Sequence, residues 1–68
     1  MPNSVYKIIE VVGSSNKSWE DAAKTAIETA SKSLKDLRIA EVVKQDIKID
    51  GNNIIYRTSL RISFKYHT

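Results

Sequence analysis

The order of apolar and polar positions divides the first half of the chain into a strand and a helix. Residues 5–12, VYKIIEVV, are mostly β-branched or aromatic and apolar on both faces, which predicts a strand covered on both sides. Residues 13–16, GSSN, are typical of a turn. Ser18 then offers an N-cap, Glu20 and Asp21 make the first turn acidic, and apolar residues recur at spacings of three and four. The sequence therefore predicts a helix of about 17 residues that begins near Ser18.

The second half of the chain predicts a β-hairpin. Apolar and polar residues alternate imperfectly over residues 38–50. Four apolar residues are predicted to share one face, namely Ile39, Val43, Ile47 and Ile49. Residues 50–53, DGNN, are typical of a tight turn, because Gly and Asn tolerate positive φ. Residues 54–67 alternate strictly, with the larger apolar side chains on the even-numbered face, which predicts a half-buried antiparallel strand.

Together these segments predict an α+β fold in the order β-α-β-β, with a three-stranded antiparallel sheet packed on one helix, as a single domain over residues 1–68. Four alanines on the apolar stripe of the helix allow it to approach the sheet closely. Trp19 opens that stripe, and we expect it to pack rather than to bind a ligand. A strand of about 12 residues spans roughly 40 Å and the helix only about 25 Å, so part of the hairpin needs cover from another subunit.

The size of the chain also favours self-association. A chain of 68 residues hides only roughly 60% of its surface on folding, which leaves a monomer marginally stable. The sequence has no Cys and one His, so neither disulfides nor a zinc site of the usual kind stabilises a single chain. Association with copies of itself is the remaining common solution.

The net charge of +3 is concentrated in the last predicted strand. Residues 1–53 carry equal numbers of acidic and basic side chains, and the excess comes from Arg57, Arg61 and Lys65. These three residues recur every four positions on one strand face, about 13 Å apart. Such a stripe suits ion pairs between subunits, an anionic small ligand or a nucleic-acid backbone. Since the aromatic residues of this strand lie on its other face, we expect no nucleic-acid partner.

The sequence offers little for catalysis. It has no nucleophile elbow and no Gly-rich phosphate loop, and His67 is one residue from the end of the sequence. The paired carboxylates of Glu20 and Asp21 belong to a helix start, and those of Asp46 and Asp50 flank a turn. We therefore expect a non-enzyme. No apolar run reaches about 18 residues and the first five residues lack a secretory signal, so we expect no membrane partner and assign the cytoplasm by default.

Four segments carry a family resemblance, namely VYKIIEVVGSS, SWEDAAKTAIETA, IAEVVKQDIKIDG and YRTSLRISFK. In their order and spacing they resemble the dodecin family across almost the whole chain. The resemblance implies a β-α-β-β chain whose long curved sheet wraps one helix. It also implies a homododecamer, a hollow sphere of twelve chains, which supplies the partners that the small size requires.

Many dodecins bind flavins in pairs between subunits. In those members a Trp that opens the second strand stacks on the flavin ring, and a Gln after the Tyr of the third strand hydrogen-bonds it. The corresponding positions here are Ile39 and Arg57. Ile39 has no π face and Arg57 donates without accepting, so we do not expect flavin binding of the usual kind.

The pattern is closer to the calcium dodecins, which share the Ser-Trp-Glu helix start and an aliphatic residue at the stacking position. We expect a non-catalytic dodecin-like homododecamer that stores, buffers or sequesters a small ligand at sites between subunits. Calcium prefers hard oxygen ligands, and Glu41, Asp46 and Asp50 are the candidate ligands if symmetry gathers copies of them. Further candidates for contact with an anionic ligand or a neighbouring subunit are Arg61, Lys65 and Gln45.

Two alternatives remain open on the sequence. The chain is a flavin-binding dodecin if Arg57 engages the phosphate of FMN or the pyrimidine edge of FMN or riboflavin. It is a purely structural assembly if its basic stripe forms ion pairs with acidic residues, such as Glu41 and Asp46, of neighbouring subunits.

Overall fold

A computed structural model describes residues 3–66 of the chain. Its elements are β1 (Tyr6–Ser15), α1 (Trp19–Ser33), β2 (Leu37–Asp50) and β3 (Asn53–Lys65). The strands form one antiparallel sheet in the order β1-β3-β2, so β3 lies in the centre. The predicted α+β fold with β-α-β-β order is confirmed. The predictions for His67 and for the start of the chain before residue 3 fall outside the described residues.

Helix α1 begins as predicted but ends earlier. The Ser18 hydroxyl accepts a hydrogen bond from the Asp21 amide at 2.9 Å and caps the first turn. The helix has 15 residues and ends at Ser33, whereas the apolar spacing had predicted about 17. Leu34 adopts an extended conformation, and Asp36, with a φ of 60°, turns the chain into β2. A left-handed residue of this kind is a common helix ending that apolar spacing alone does not reveal.

Strand β1 is longer than predicted, because residues 13–15 extend it rather than forming a turn. Gly13 lies opposite Thr58 in the β1/β3 ladder. A Cβ atom at Gly13 would overlap the carbonyl oxygen of Ala22 and press on the side chain of Ala26. The helix thus crosses β1 so closely at Gly13 that a side chain would not fit between them. This close approach explains the glycine at this position of the strand.

The core lies between α1 and the centre of the sheet. Its helix side consists of Ala22, Ala26 and Ala30, and on β3 the side chains of Leu60 and Ile62 are each 1% exposed. Because alanine is short, the helix lies close to the strands and the larger side chains of β3 fill the space between them. The predicted thin apolar stripe of α1 is thus confirmed.

Trp19 fixes the start of the helix to the hairpin. Its Nε1 donates to the carbonyl oxygen of Asp46 at 3.1 Å, and its ring lies edge-on to Tyr56 with centroids 5.2 Å apart. The buried hydroxyl of Thr58 donates to the Trp19 carbonyl oxygen at 3.0 Å. The prediction that Trp19 packs against the sheet is confirmed.

The residues of β2 that lie on a given face of the sheet change part-way along the strand. Its register against β3 shifts between Leu37 and Ile39 and again between Val42 and Lys44. Ile39 therefore lies opposite Ser63, whereas Ile47 lies opposite Tyr56 on the helix side of the sheet. The prediction that Ile39, Val43, Ile47 and Ile49 all share one face is wrong, because Ile39 lies on the face opposite to that of Ile47 and Ile49. The irregularity between Val42 and Lys44 reverses the alternation of side chains.

The hairpin extends well beyond the helix. The chain measures 53 × 20 × 15 Å, and 15 helical residues span only about 22 Å. Ile49 and Ile54, near the tip of the hairpin, are 77% and 50% exposed. Strands β2 and β3 have 14 and 13 residues, so the predicted overhang is present. Within residues 3–66 no helix is both long enough and apolar enough to cross a membrane.

Candidate functional site on the outer face of the sheet

The side of the sheet that faces away from α1, called here the outer face, carries most of the predicted site residues. Strand alternation and register define its members. They are Tyr6, Ile8, Glu10, Val12 and Ser14 on β1; Ile55, Arg57, Ser59, Arg61, Ser63 and Lys65 on β3; and Ile39, Glu41, Lys44, Asp46, Lys48 and Asp50 on β2. Most of its charged residues lie on β2 and β3, and most of its apolar residues lie on β1.

An apolar hollow lies at one end of the outer face. Ile8 on β1 and Ile39 on β2 both pair with Ser63 on the central strand, one on each side of it. Ile8 is 61% exposed and Ile39 is 67% exposed. With Glu41 and Arg61 they line a hollow of about 210 Å³. The Ser63 hydroxyl accepts a hydrogen bond from the Ile39 amide at 3.3 Å. Ile39, at the position where flavin-binding dodecins are expected to stack a Trp, thus supplies an apolar wall to this hollow.

The predicted double cover of β1 is not provided by a single chain. Ile9 and Val11 pack against the core, but Ile8 and Val12 on the outer face are largely exposed. Within residues 3–66 the helix is the only layer that packs on the sheet, and it lies on the other side. The exposed apolar residues of β1 therefore need a cover that comes from outside the chain.

Arg57 forms a two-point ion pair with Asp46, which lies directly opposite on β2. Arg57 Nε donates to Asp46 Oδ1 at 2.7 Å, and Nη2 donates to Oδ2 at 2.8 Å. Lys44 Nζ lies 3.8 Å from the same carboxylate. We call the contact between Arg57 and Asp46 the Arg57 ion pair. Its parallel geometry orients the guanidinium along the sheet.

The Arg57 ion pair shifts the titration of both partners. Hydrogen bonds from Arg57 are the main cause that holds the pKa of Asp46 below its ordinary value of 3.8, and the charges of Arg57 and Lys44 act in the same direction. The Asp46 carboxylate in turn raises the pKa of Arg57. Because both side chains remain in contact with solvent, the pair orients Arg57 more than it stabilises the fold.

The second basic residue of the stripe is flanked by two carboxylates. Arg61 lies between Glu10 on β1 and Glu41 on β2. Its Nε is 3.7 Å from Glu10 Oε1, which makes an ion pair without a hydrogen bond. Lys65, the third member of the stripe, lies opposite Tyr6 at the end of the outer face. The outer face is therefore a mixed-charge surface and not the basic one that the last strand suggested.

This pairing corrects one part of the structural-assembly alternative. That hypothesis paired Arg57 with acidic residues, including Asp46, of a neighbouring subunit. In the structure Asp46 and Arg57 of the same chain pair, because the register of β2 and β3 sets them side by side. Gln45, another candidate contact, lies opposite Thr58 on the helix side and so does not join Arg61 and Lys65.

The three predicted calcium ligands share the outer face of β2 but do not converge within one chain. Glu41, Asp46 and Asp50 lie opposite positions 61, 57 and 53 of β3, so neighbours in the set are about 13 Å apart. Within residues 3–66 no group of three or more His, Cys, Asp and Glu side chains is arranged to hold a metal ion. Since calcium takes six to eight oxygen ligands, one chain alone does not fit it. The ligand set stays a prediction for carboxylates from several copies.

Glu10 is the functional candidate that sequence reasoning missed. It is the one acidic residue of β1, and an acidic side chain among apolar strand residues is a signal of a charged partner. That partner was not identifiable from the sequence, because Glu10 and Arg61 are 51 positions apart and only the ladder between β1 and β3 aligns them.

The fold and the outer face define a class of small α+β proteins in which a long three-stranded sheet packs one short helix at one end and leaves its other side uncovered. A family model described as Dodecin matches residues 5–67, and the chain belongs to the dodecin family. The predicted family is thus confirmed.

Relatives agree in sequence and in fold. The protein named calcium dodecin from Mycobacterium tuberculosis is 46% identical over 63 residues, which cover 91% of this chain and 89% of that protein. A crystal structure of calcium dodecin from the same organism, described as a calcium-chelating immunodominant antigen with a novel calcium-binding site, has a TM-score of 0.87 at 45% identity and covers 94% of this chain and 93% of that chain. A dodecin from Streptomyces coelicolor has a TM-score of 0.92 at 28% identity, with 100% and 99% of the two chains covered.

Proposed function

We propose that this protein is a non-catalytic homododecamer that buffers or stores a small ligand at sites shared between copies on the outer face. The observation that carries the proposal is the uncovered outer face itself, where Ile8 and Ile39 are more than half exposed beside Glu41 and Arg61. Apolar area costs about 25 cal/mol per Å² in water, so a second copy placed over these residues stabilises the protein. The charged residues next to them then lie at the contact between copies.

Calcium is the ligand that we favour. The relative that is 46% identical is named calcium dodecin, and the structure that is 45% identical is described with a calcium-binding site. Among the described residues of the outer face, Glu10 makes only a 3.7 Å ion pair with Arg61, and Glu41 forms no two-point pair like that of Asp46. We infer that these two carboxylates are better placed to bind a cation than Asp46 is. Carboxylates from several copies are needed to supply six or more oxygens.

Flavin is the less favoured ligand. Ile39 offers no aromatic face for stacking, and Arg57 is held in its ion pair with Asp46. Absorbance of the freshly purified protein and quenching of added riboflavin or FMN test this alternative. We expect a colourless protein that leaves the fluorescence unchanged, and a yellow protein or strong quenching would favour flavin.

Calcium binding is tested by thermal unfolding and calorimetric titration of the chelator-treated protein. At calcium concentrations near one hundred times Kd, we expect the unfolding temperature to rise by at least about 5 °C. The variant Glu41→Gln should lose most of this rise, because it removes one carboxylate from each copy. Glu28→Gln, on the exposed side of α1, makes the same chemical change away from the outer face and should keep the rise.

The proposal of calcium fails if the wild-type protein shows no rise and no heat of binding at millimolar calcium. It also fails if Glu28→Gln and Glu41→Gln lose the effect equally, since the site would then not lie on the outer face.

A further inference from the structure

Arg57 is the one basic residue of the outer face that the described structure holds in a two-point hydrogen-bonded pair. Two of its five N–H donors point at the Asp46 carboxylate, and these two form one edge of the planar guanidinium. A phosphate group binds Arg best along such an edge. The remaining donors lie beside a carboxylate that repels a second anion. In the structure, the edge of Arg57 formed by Nε and Nη2 is therefore occupied by Asp46.

We propose that Asp46 is a specificity-determining residue that holds Arg57 in this pair and so makes the outer face reject phosphate monoesters. The inference rests on the proposed role of the outer face in ligand binding. Asp46 acts through Arg57 and is a positioning residue. Its carboxylate makes hydrogen bonds to Arg57 and a longer contact with Lys44, whereas the hydrogen bond to Trp19 uses the backbone carbonyl of Asp46.

This separation of roles makes Asp46→Asn an informative variant. The amide keeps the size of the side chain and the backbone contact with Trp19, but it removes the charge that neutralises Arg57. The two strands still set position 46 beside Arg57, so the guanidinium stays on the outer face. We expect Asp46→Asn to convert the outer face from one that rejects phosphate into one that binds it.

FMN and riboflavin provide the probe, because they share the flavin ring and differ by one phosphate monoester. Fluorescence titration of each variant gives the ratio of its affinity for FMN to its affinity for riboflavin, in which any contribution of the ring cancels. The ratio is taken as one where neither flavin binds, which is the result expected of the wild type. We expect Asp46→Asn to bind FMN at least about tenfold more tightly relative to riboflavin than the wild type does. The double variant Asp46→Asn with Arg57→Gln should return to the wild-type ratio.

A charge-matched control separates the release of Arg57 from a general change in charge. Glu28→Gln also removes one negative charge, but from the exposed side of α1, and it leaves the Arg57 ion pair intact. Its effect on the ratio should be under about threefold, as expected of a screened charge. The single variant Arg57→Gln should leave the wild-type ratio unchanged, because the proposal keeps Arg57 paired with Asp46 and away from phosphate in the wild type.

The inference is overturned if Asp46→Asn raises the ratio no more than Glu28→Gln does, or if the gain survives in the double variant. A wild type that prefers FMN to riboflavin also overturns it, as does a fall in the ratio in Arg57→Gln alone. The wild-type preference can be measured even if Asp46→Asn does not assemble. The mass and calcium response of the wild type, measured on the same preparations, report separately on the proposed function. A monomeric or calcium-insensitive wild type refutes that function, whereas the affinity ratios still decide the role of Asp46.

Discussion

At the scale of single residues, the two glycines serve different purposes, and substitutions distinguish them. A Cβ at Gly13 meets the backbone of α1, whereas Gly51 has a φ of 61° and nothing within 4 Å of its Cβ position. Gly13→Ala should lower the free energy of unfolding by about 3 kcal/mol, because the helix must move away from the sheet. Gly51→Ala should cost only about 1 kcal/mol, the strain of a left-handed residue.

Denaturant unfolding of both variants at one protein concentration checks this prediction. An equal loss of stability in the two variants would contradict the close crossing of α1 over Gly13.

Asp46 gives a prediction for pH. Its pKa is depressed in the folded state, chiefly by the hydrogen bonds from Arg57, so the contribution of the pair to stability is present above the ordinary pKa of 3.8. That contribution is lost as the pH falls through the lower folded-state pKa, and neutral solutions leave it intact. Carbon NMR titration of the Asp46 carboxyl should show its pKa rising towards the ordinary value in Arg57→Gln. An unchanged pKa in that variant would mean that the ion pair is absent in solution.

The sequence predicted the contacts of some residues but not the contacts of others. The N-cap Ser18 and the packing of Trp19 follow from local patterns, and both predictions are confirmed. The partners of Arg57 and Arg61 do not follow from such patterns. They depend on the alignment of three strands, and a bulge in β2 shifts that alignment by one residue.

At the scale of elements, one buried hydroxyl contributes to the contact between α1 and the hairpin. Thr58 is fully buried and donates to the carbonyl oxygen of Trp19. Thr58→Val keeps the shape but leaves that carbonyl without its donor, so we expect a loss of about 1–3 kcal/mol in the free energy of unfolding. Thr25→Val removes a hydroxyl that bonds an exposed carbonyl on the helix surface, and it should cost under about 1 kcal/mol.

Urea unfolding of the two threonine variants supplies the measurement. Similar losses in both would show that the buried hydrogen bond of Thr58 adds nothing specific to the docking of the helix.

The elements themselves were predictable in type and order, because strands and helix have different apolar periods. The residues at which the elements end were not predictable from the sequence. The helix stops at Ser33 because the chain turns back at Asp36, and β1 runs on to Ser15 because Gly13 accommodates the helix. Both endings depend on contacts between elements, which a local pattern does not contain.

At the scale of the whole molecule, the exposed apolar residues of the outer face define a prediction about assembly. Ile39→Lys should weaken association, because it places a charge where the proposed contact between copies excludes water. Ile39→Val keeps an apolar side chain and should leave the assembly intact. Sizing chromatography of the two variants over a range of protein concentrations measures the difference. Equal elution of Ile39→Lys and the wild type would place the contact elsewhere.

The need for partners was visible from the size of the chain and the length of its hairpin, and the overhang of β2 and β3 agrees with it. The identity of the ligand was not visible, because the predicted carboxylates lie about 13 Å apart in one chain and any site they form requires other copies.

Light scattering coupled to sizing chromatography of the wild-type protein tests the central claim most directly. The proposed homododecamer predicts a mass of about 92 kDa, twelve times the chain mass of 7.7 kDa. A mass near 7.7 kDa would show that the outer face stays uncovered in solution and would contradict a ligand site shared between copies.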